Sequence, residues 1–373
     1  MLKALAITLF ILICPALLLF AGASAPICSQ VFSESRPAFQ FNDQESLGYQ
    51  ALQRDLLTLD GFFISQSKRT TSELVNLIIS EDLRAVIFRI ESILHIYKRK
   101  DAEFFEPFLK TFKELEDQIG QIALHESLRD KAKELKQPEL AQYFQEQVLK
   151  DRANFEKSLE DFNIHDLEQT QFRKTAKEIQ AYDQWKNPKK DRQFLLDEMI
   201  SYAQKVRKDI KELKFDHADI EKGLHELRRK IRWIGIQVKS FDALITFETK
   251  TPLSSKTELW FQEISTATPK MLQSKFIRSS TESEAPQSKH SLIIPLKTFG
   301  MISQIVTNIG VRKDNSETQI YFEEAIKKTG SKMSISVLKI EEIDHQKMSR
   351  EFQDRINETD LLGEYIKLLE KLN

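Results

Sequence analysis

The stretch Leu224-His225-Glu226-Leu227-Arg228-Arg229-Lys230-Ile231-Arg232-Trp233-Ile234-Gly235-Ile236 carries two stripes at once. Leu224, Leu227, Ile231, Ile234, Val238 and Phe241 recur at three and four and predict one apolar helix face. His225, Arg228, Arg232 and Lys239 stand at i, i+3, i+7 and i+14 and predict a polar stripe beside it. Guanidinium groups present forked donors that match phosphate oxygens, and an imidazole adds a donor whose charge answers to pH.

The same helical period extends outward in both directions. Leu83, Val86, Ile87, Ile90, Ile93, Leu94 and Tyr97 form one stripe, and Phe108, Phe112, Leu115, Ile119 and Ile122 another. Pro107, Pro138 and the Asn187-Pro188 break mark expected helix starts. Further helical pattern runs from Asp191 to about Phe247, over Leu292–Ile309 and Gln319–Lys328, and from Gln346 to Leu372. Met333–Val337 alternates and reads as a strand or a helix end. Ten glycines in 373 residues is few for an α/β enzyme with many tight turns. The expected class is all-α, with strand content near zero.

Between Thr251 and Ser291 the texture changes to Ser, Thr and Pro, with Pro252, Pro269 and Pro286. This is read as a flexible insertion, with a short helix around Thr257–Ile264, and as a segment where a protein partner could dock. A weak internal repeat frames it. Leu83-Arg84 is followed by Leu109-Lys110 and Ile119-Gly120, and Leu227-Arg228 by Leu296-Lys297 and Ile309-Gly310. The Arg-to-Gly separations of 36 and 82 differ by roughly the length of the insertion. Two bundle halves related by duplication predict this pattern, at about 44–185 and 189–373.

At the N-terminus, Lys3, the apolar run Leu5–Ala21 and the small residues Gly22-Ala23-Ser24-Ala25 read as a secretory signal peptide over residues 1–25, with 26–43 as an extension. Cleavage fits after Ala25 or Ala23, and the alternative is an uncleaved anchor helix. Ile27 directly before Cys28 argues against lipid attachment. Cleavage removes Cys14 and leaves Cys28 alone, so a periplasmic or secreted protein without an internal disulfide or a transmembrane domain is expected. The charges balance at 55 basic against 56 acidic, and removing Lys3 makes the formal charge −2. That excludes a ligand held by bulk attraction. The block Lys205–Arg232 holds 10 basic and 6 acidic residues, a local excess of +4. Glycine-rich phosphate loops, G-x-S-x-G, H-E-x-x-H and Cys/His metal spacing are all missing, so neither an enzyme nor a cofactor is expected.

The run at 224–236 resembles the second signature of the CHAD, or conserved histidine α-helical, domain, and residues 80–100 are similar to its first copy. The resemblance spans about residues 44–370. It implies two four-helix-bundle halves around a basic groove that binds inorganic polyphosphate. His225, Arg228 and Arg232 match the second copy, and Arg84 and Arg89 the first. The resulting anion-binding set is Arg228, Arg232, His225, Arg84 and Arg89, with Lys239 as an outlying contact. The sequence departs from the pattern at Trp233 and Gly235, where further Arg is usual. It departs again at Glu81 in the His position, at Phe88 and at Glu91 in basic positions. Carboxylates facing a polyanion repel it. The alternative is therefore a helical scaffold that keeps the fold and has lost the anion site.

Overall fold

A computed structural model describes residues 42, 44–166, 170–182, 185, 187–212, 214–216, 219, 221–241, 245–268, 291–338 and 345–373. The expected signal peptide, both cysteines and all of the extension but Asn42 lie outside the described residues, as does the insertion from 269 to 290. The first half holds α1 (Leu47–Ser65), α2 (Thr71–Ser80), α3 (Leu83–Tyr97), α4 (Ala102–Glu134), α5 (Pro138–Asp161) and α6 (Gln171–Ala181). The second holds α7 (Pro188–Lys211), α8 (Glu226–Ser240), α9 (Ser255–Ala267), α10 (Leu296–Thr329), α11 (His345–Thr359) and α12 (Leu361–Leu372). The all-α class is as expected.

Local chemistry explains the boundaries. The Thr70 hydroxyl accepts from Glu73 N while the Glu73 carboxylate accepts from Thr70 N, a capping box that starts α2. Asp101 caps α4 by accepting from Phe104 N. Asn187 caps α7, with Pro188 in the first turn, where a missing N–H costs nothing. Gly330, at φ 71°, ends α10 in the left-handed conformation that suits glycine.

Most residues of the apolar stripes read from the sequence are buried, but on α4 Phe108 is only half-buried, and Phe105 and Leu109 go inside with Phe112, Leu115, Ile119 and Ile122. Leu83, Val86, Ile87, Ile90, Ile93, Leu94 and Tyr97 are inside on α3, and Leu227, Ile231, Ile234 and Val238 on α8. Helices α3 and α8 pack against each other at the junction of the halves. α4 covers α3, α10 covers α8, and α1 and α7 also meet. The corresponding helices of the repeat are therefore neighbours across the junction.

Several boundaries differ from expectation. Leu292–Pro295 is a strand, β2, paired in parallel with β1 (Ile245–Glu248), Ile245 opposite Leu292. Short apolar runs fit strand and helix equally, and here Leu292 and Ile294 alternate into the core. The two helices expected over 292–328 are one helix of 34 residues, because the polar stretch between them lies on an exposed part of α10. Pro107 lies inside α4 instead of at its start, the Asp101 cap having begun the helix earlier. Ile335–Leu338 is a 3₁₀ turn, and Asp360 divides the last amphipathic segment into α11 and α12.

The described part of the insertion is docked rather than loose. On α9, Thr257, Trp260 and Ile264 are buried. Glu258 receives Lys297 at 3.4 Å and Glu263 receives Arg355 at 2.9 Å.

Candidate functional site

The site forms where the two repeat helices cross. On α3, Arg84, Phe88 and Glu91 stand at i, i+4 and i+7 and share a stripe; on α8, Arg228 and Arg232 do the same. The guanidinium of Arg232 lies 4.4 Å from the centroid of the Phe88 ring, and that of Arg84 lies 5.3 Å from the same centroid. Phe88 and Arg232 are corresponding positions, five residues after Leu83 and Leu227. Their meeting puts the centre of the repeat at this ring. A ring face carries negative quadrupole density that attracts a cation.

The flanking helices seat the two repeat arginines. An ideal Cβ built on Gly120 of α4 would lie 2.6 Å from Arg84 Nη2. One built on Gly310 of α10 would lie 2.7 Å from Arg228 Nη2. Each glycine therefore makes room for a guanidinium laid over its helix. The Arg-to-Gly spacing seen in the sequence is a physical contact in both halves.

The two seats differ in charge. Arg84 Nε donates to Glu116 Oε1 at 2.7 Å, and Glu116 is buried on α4. Arg228 Nε donates only weakly, to the Val306 carbonyl at 3.4 Å. Arg232 has no carboxylate within ion-pairing distance among the described residues, although it is only partly exposed. Burial and the charges of Arg228 and Arg84 push its pKa down to about 10, against the pull of Glu116 and Glu91. Glu91 is 4% exposed and its Oε2 has no hydrogen-bond partner. Burial first, and the Glu116 carboxylate second, raise its pKa to about 7; Lys113 and Arg232 oppose that rise. Near neutral pH Glu91 is therefore only partly ionised beside Arg232.

The other residues expected at the site fall elsewhere. Arg89 is turned to α1, where its Nε reaches both oxygens of the buried Asp55 at 3.1 Å and Nη2 reaches Oδ1 at 2.9 Å. Arg54 shares that carboxylate, and the two guanidiniums hold its pKa down against burial. His225 closes the π-turn Glu221–His225 immediately before α8, half-buried. Lys239 lies in the last turn of α8, about 16 Å along the axis from Arg228. In the basic run itself, Arg229 pairs with Glu226 and Lys230 with Asp209, which leaves Arg228 and Arg232 for the junction. Glu81, in the position of the missing histidine, has a buried Oε1 without a partner.

Glu116 was missed in the sequence. Its only signal there is its position one turn before Gly120, next to the Arg84 seat. A cavity of about 430 Å³ between α2, α4 and α5, lined in part by Arg129 and Arg152, is a different place. Its arginines are tied to Gln145, Asn76 and Glu126. Among the described residues, no group of three His, Cys, Asp or Glu is placed to hold a metal ion, and no helix is long and apolar enough to cross a membrane. Comparison with protein-family models, curated proteins and solved structures finds no match to this chain.

Proposed function

We propose that this chain is an exported, non-enzymatic binding protein for polyphosphate or another phosphate-rich anion, taken up at the junction of its two helical halves. The observation that carries the reading is the gathering of three guanidiniums: Arg84 and Arg232 share the Phe88 ring, the charges of Arg84 and Arg228 both act on Arg232, and among the described residues only Arg84 is ion-paired, to Glu116. Guanidiniums held close together and short of carboxylates are costly to maintain unless an anion compensates them. Charge-assisted contacts of this kind are worth roughly 1.5–3 kcal/mol each, so three suffice to hold a phosphate group.

Calorimetric titration with long-chain polyphosphate at low ionic strength tests the reading. Binding that weakens steeply as salt rises is expected, because contact with a polyanion releases counterions. The double variant Arg228→Glu, Arg232→Glu should lose it. Absence of binding by the native chain at low salt would sink the idea.

A second reading, a helical scaffold without an anion site, is favoured by the pairing of Arg84 with Glu116 and of Arg89 with Asp55. It predicts that polyphosphate leaves the chain untouched at any salt concentration.

A further inference from the structure

Glu91 is buried between charges of both signs, and its Oε2 has no hydrogen-bond partner among the described residues. It lies on the α3 stripe of Arg84 and Phe88, one turn beyond the ring that receives Arg232. The charges around it come from three helices: Glu116, Asp117 and Lys113 on α4, Arg232 on α8, and Arg84 on its own helix. Lys113 also bonds Asp117 at 2.9 Å and Arg84 also bonds Glu116 at 2.7 Å, so each of these cations shares its charge with another carboxylate. On α1, Asp55 is shared by Arg54 and Arg89. Among the described residues, no partner satisfies Glu91 Oε2.

We propose that Glu91 makes anion uptake depend on protons. As a neutral carboxyl it donates a hydrogen bond to a tetrahedral oxyanion held by Arg84, Arg228 and Arg232; as a carboxylate it repels that anion. The inference rests on the anion-binding reading above. No bond is made or broken: the proton stays on Glu91 while the anion is bound and passes to solvent when the group ionises. A carboxylate in a basic stripe would be a defect for a site that must hold its anion at all times. A site that holds its anion at low pH and sheds it at high pH needs such a group. Burial places the change near neutral pH, since it disfavours the charged form. The bound anion, adding negative charge beside Glu91, must raise its proton affinity in turn, because the coupling is reciprocal.

The probes are sulfate, whose charge is constant across the range, and inorganic tripolyphosphate, titrated into the full chain at fixed low ionic strength. Sulfate should bind about tenfold more tightly at about pH 6 than at about pH 8.5, the equivalent of one unit of proton coupling. The Glu91→Gln variant, which keeps a donor and cannot ionise, should retain the low-pH affinity across the range. His95, whose ring centroid lies 5.9 Å from that of Trp233 on α8, is another protonatable group near this crossing, and the glutamine variant separates its contribution from that of Glu91.

An equal pH slope in the native chain and in Glu91→Gln overturns the proposal, as does affinity that rises with pH. PH-independent binding overturns it while leaving the anion reading intact. Failure of both probes to bind the native chain overturns the two together. Should Glu91→Gln not fold, carboxyl carbon NMR of the native chain replaces it. The Glu91 midpoint must then move upward when sulfate is added, and an unmoved midpoint overturns the proposal.

Discussion

Helices α3 and α8 carry the matching stretches of the weak internal repeat, and their chemistry differs. Both bury the same apolar stripe, and both lay an arginine over a glycine of the next helix. On α3, the arginine is neutralised by Glu116, the next basic position is Phe88, and Glu91 follows on the same stripe. On α8, Arg228 has a carbonyl contact at 3.4 Å, Arg232 pairs with no carboxylate among the described residues, and Gly235 takes the place corresponding to Glu91. Packing is preserved while charge has diverged. The lesson is that side chains closing the core are constrained by both halves, whereas polar groups at the crossing need only be compatible with each other.

Arg89 offers the largest test of this division. Arg89→Met should lower stability by about 3 kcal/mol in denaturant unfolding, because the buried Asp55 keeps only Arg54. It should leave anion binding intact. Arg232→Met should do the reverse, since it removes a cation that forms no ion pair with a carboxylate among the described residues. If the two variants behave alike, the proposed separation between structural and ligand arginines is wrong.

Glu91 comes next. Its folded pKa of about 7 lies above the ordinary 4.5, so the native state binds a proton more tightly than the unfolded chain. Its stabilising contribution is full below pH 4.5 and is lost as pH rises through about 7. Glu91→Gln should therefore gain stability over the native chain at about pH 8.5, by up to about 3 kcal/mol, and the gain should vanish towards acid. Chemical denaturation of both proteins at several pH values measures the difference directly. Asp55, Asp209 and Asp360 have lowered pKa values and contribute the opposite slope, but equally to both proteins.

The glycine seats give the smallest and most discriminating effect. An added Cβ would crowd a guanidinium at 2.6 Å in Gly120→Ala and at 2.7 Å in Gly310→Ala. Arg84 is held in place by Glu116, so Gly120→Ala should cost about 1–2 kcal/mol. Arg228 is free to swing away from its weak carbonyl contact, and alanine suits a helix better than glycine. Gly310→Ala should then be within about 1 kcal/mol of neutral and show its effect on anion affinity instead. Thermal unfolding of the pair of variants, followed by titration, ranks them.

Much of this arrangement was legible along the chain. The stripe Leu83 to Tyr97 and the stripe Leu227 to Val238 are the buried faces of α3 and α8, because helical periodicity and core burial are the same constraint. The Arg84–Gly120 and Arg228–Gly310 spacings also survived as contacts, since a duplicated packing solution repeats its residue types. Local rules failed where two states fit one pattern, as at Leu292–Pro295, and where an upstream cap outweighed a proline, as at Asp101 and Pro107.

The partner of each charge was not legible at all. Arg89 and Arg84 sit on one helix and match one motif, yet they turn to different neighbours, Asp55 on α1 and Glu116 on α4. Residues 34 and 32 positions away along the chain set those pairings. Glu91 changes its meaning for the same reason: in the sequence it is a repelling carboxylate, and in the fold it is a buried acid with its pKa near 7. Helix, face and repeat follow from local spacing, so the amino-acid sequence was enough for them. Charge state and ion pairing depend on burial and on distances between remote segments, so the packed structure had to assign them.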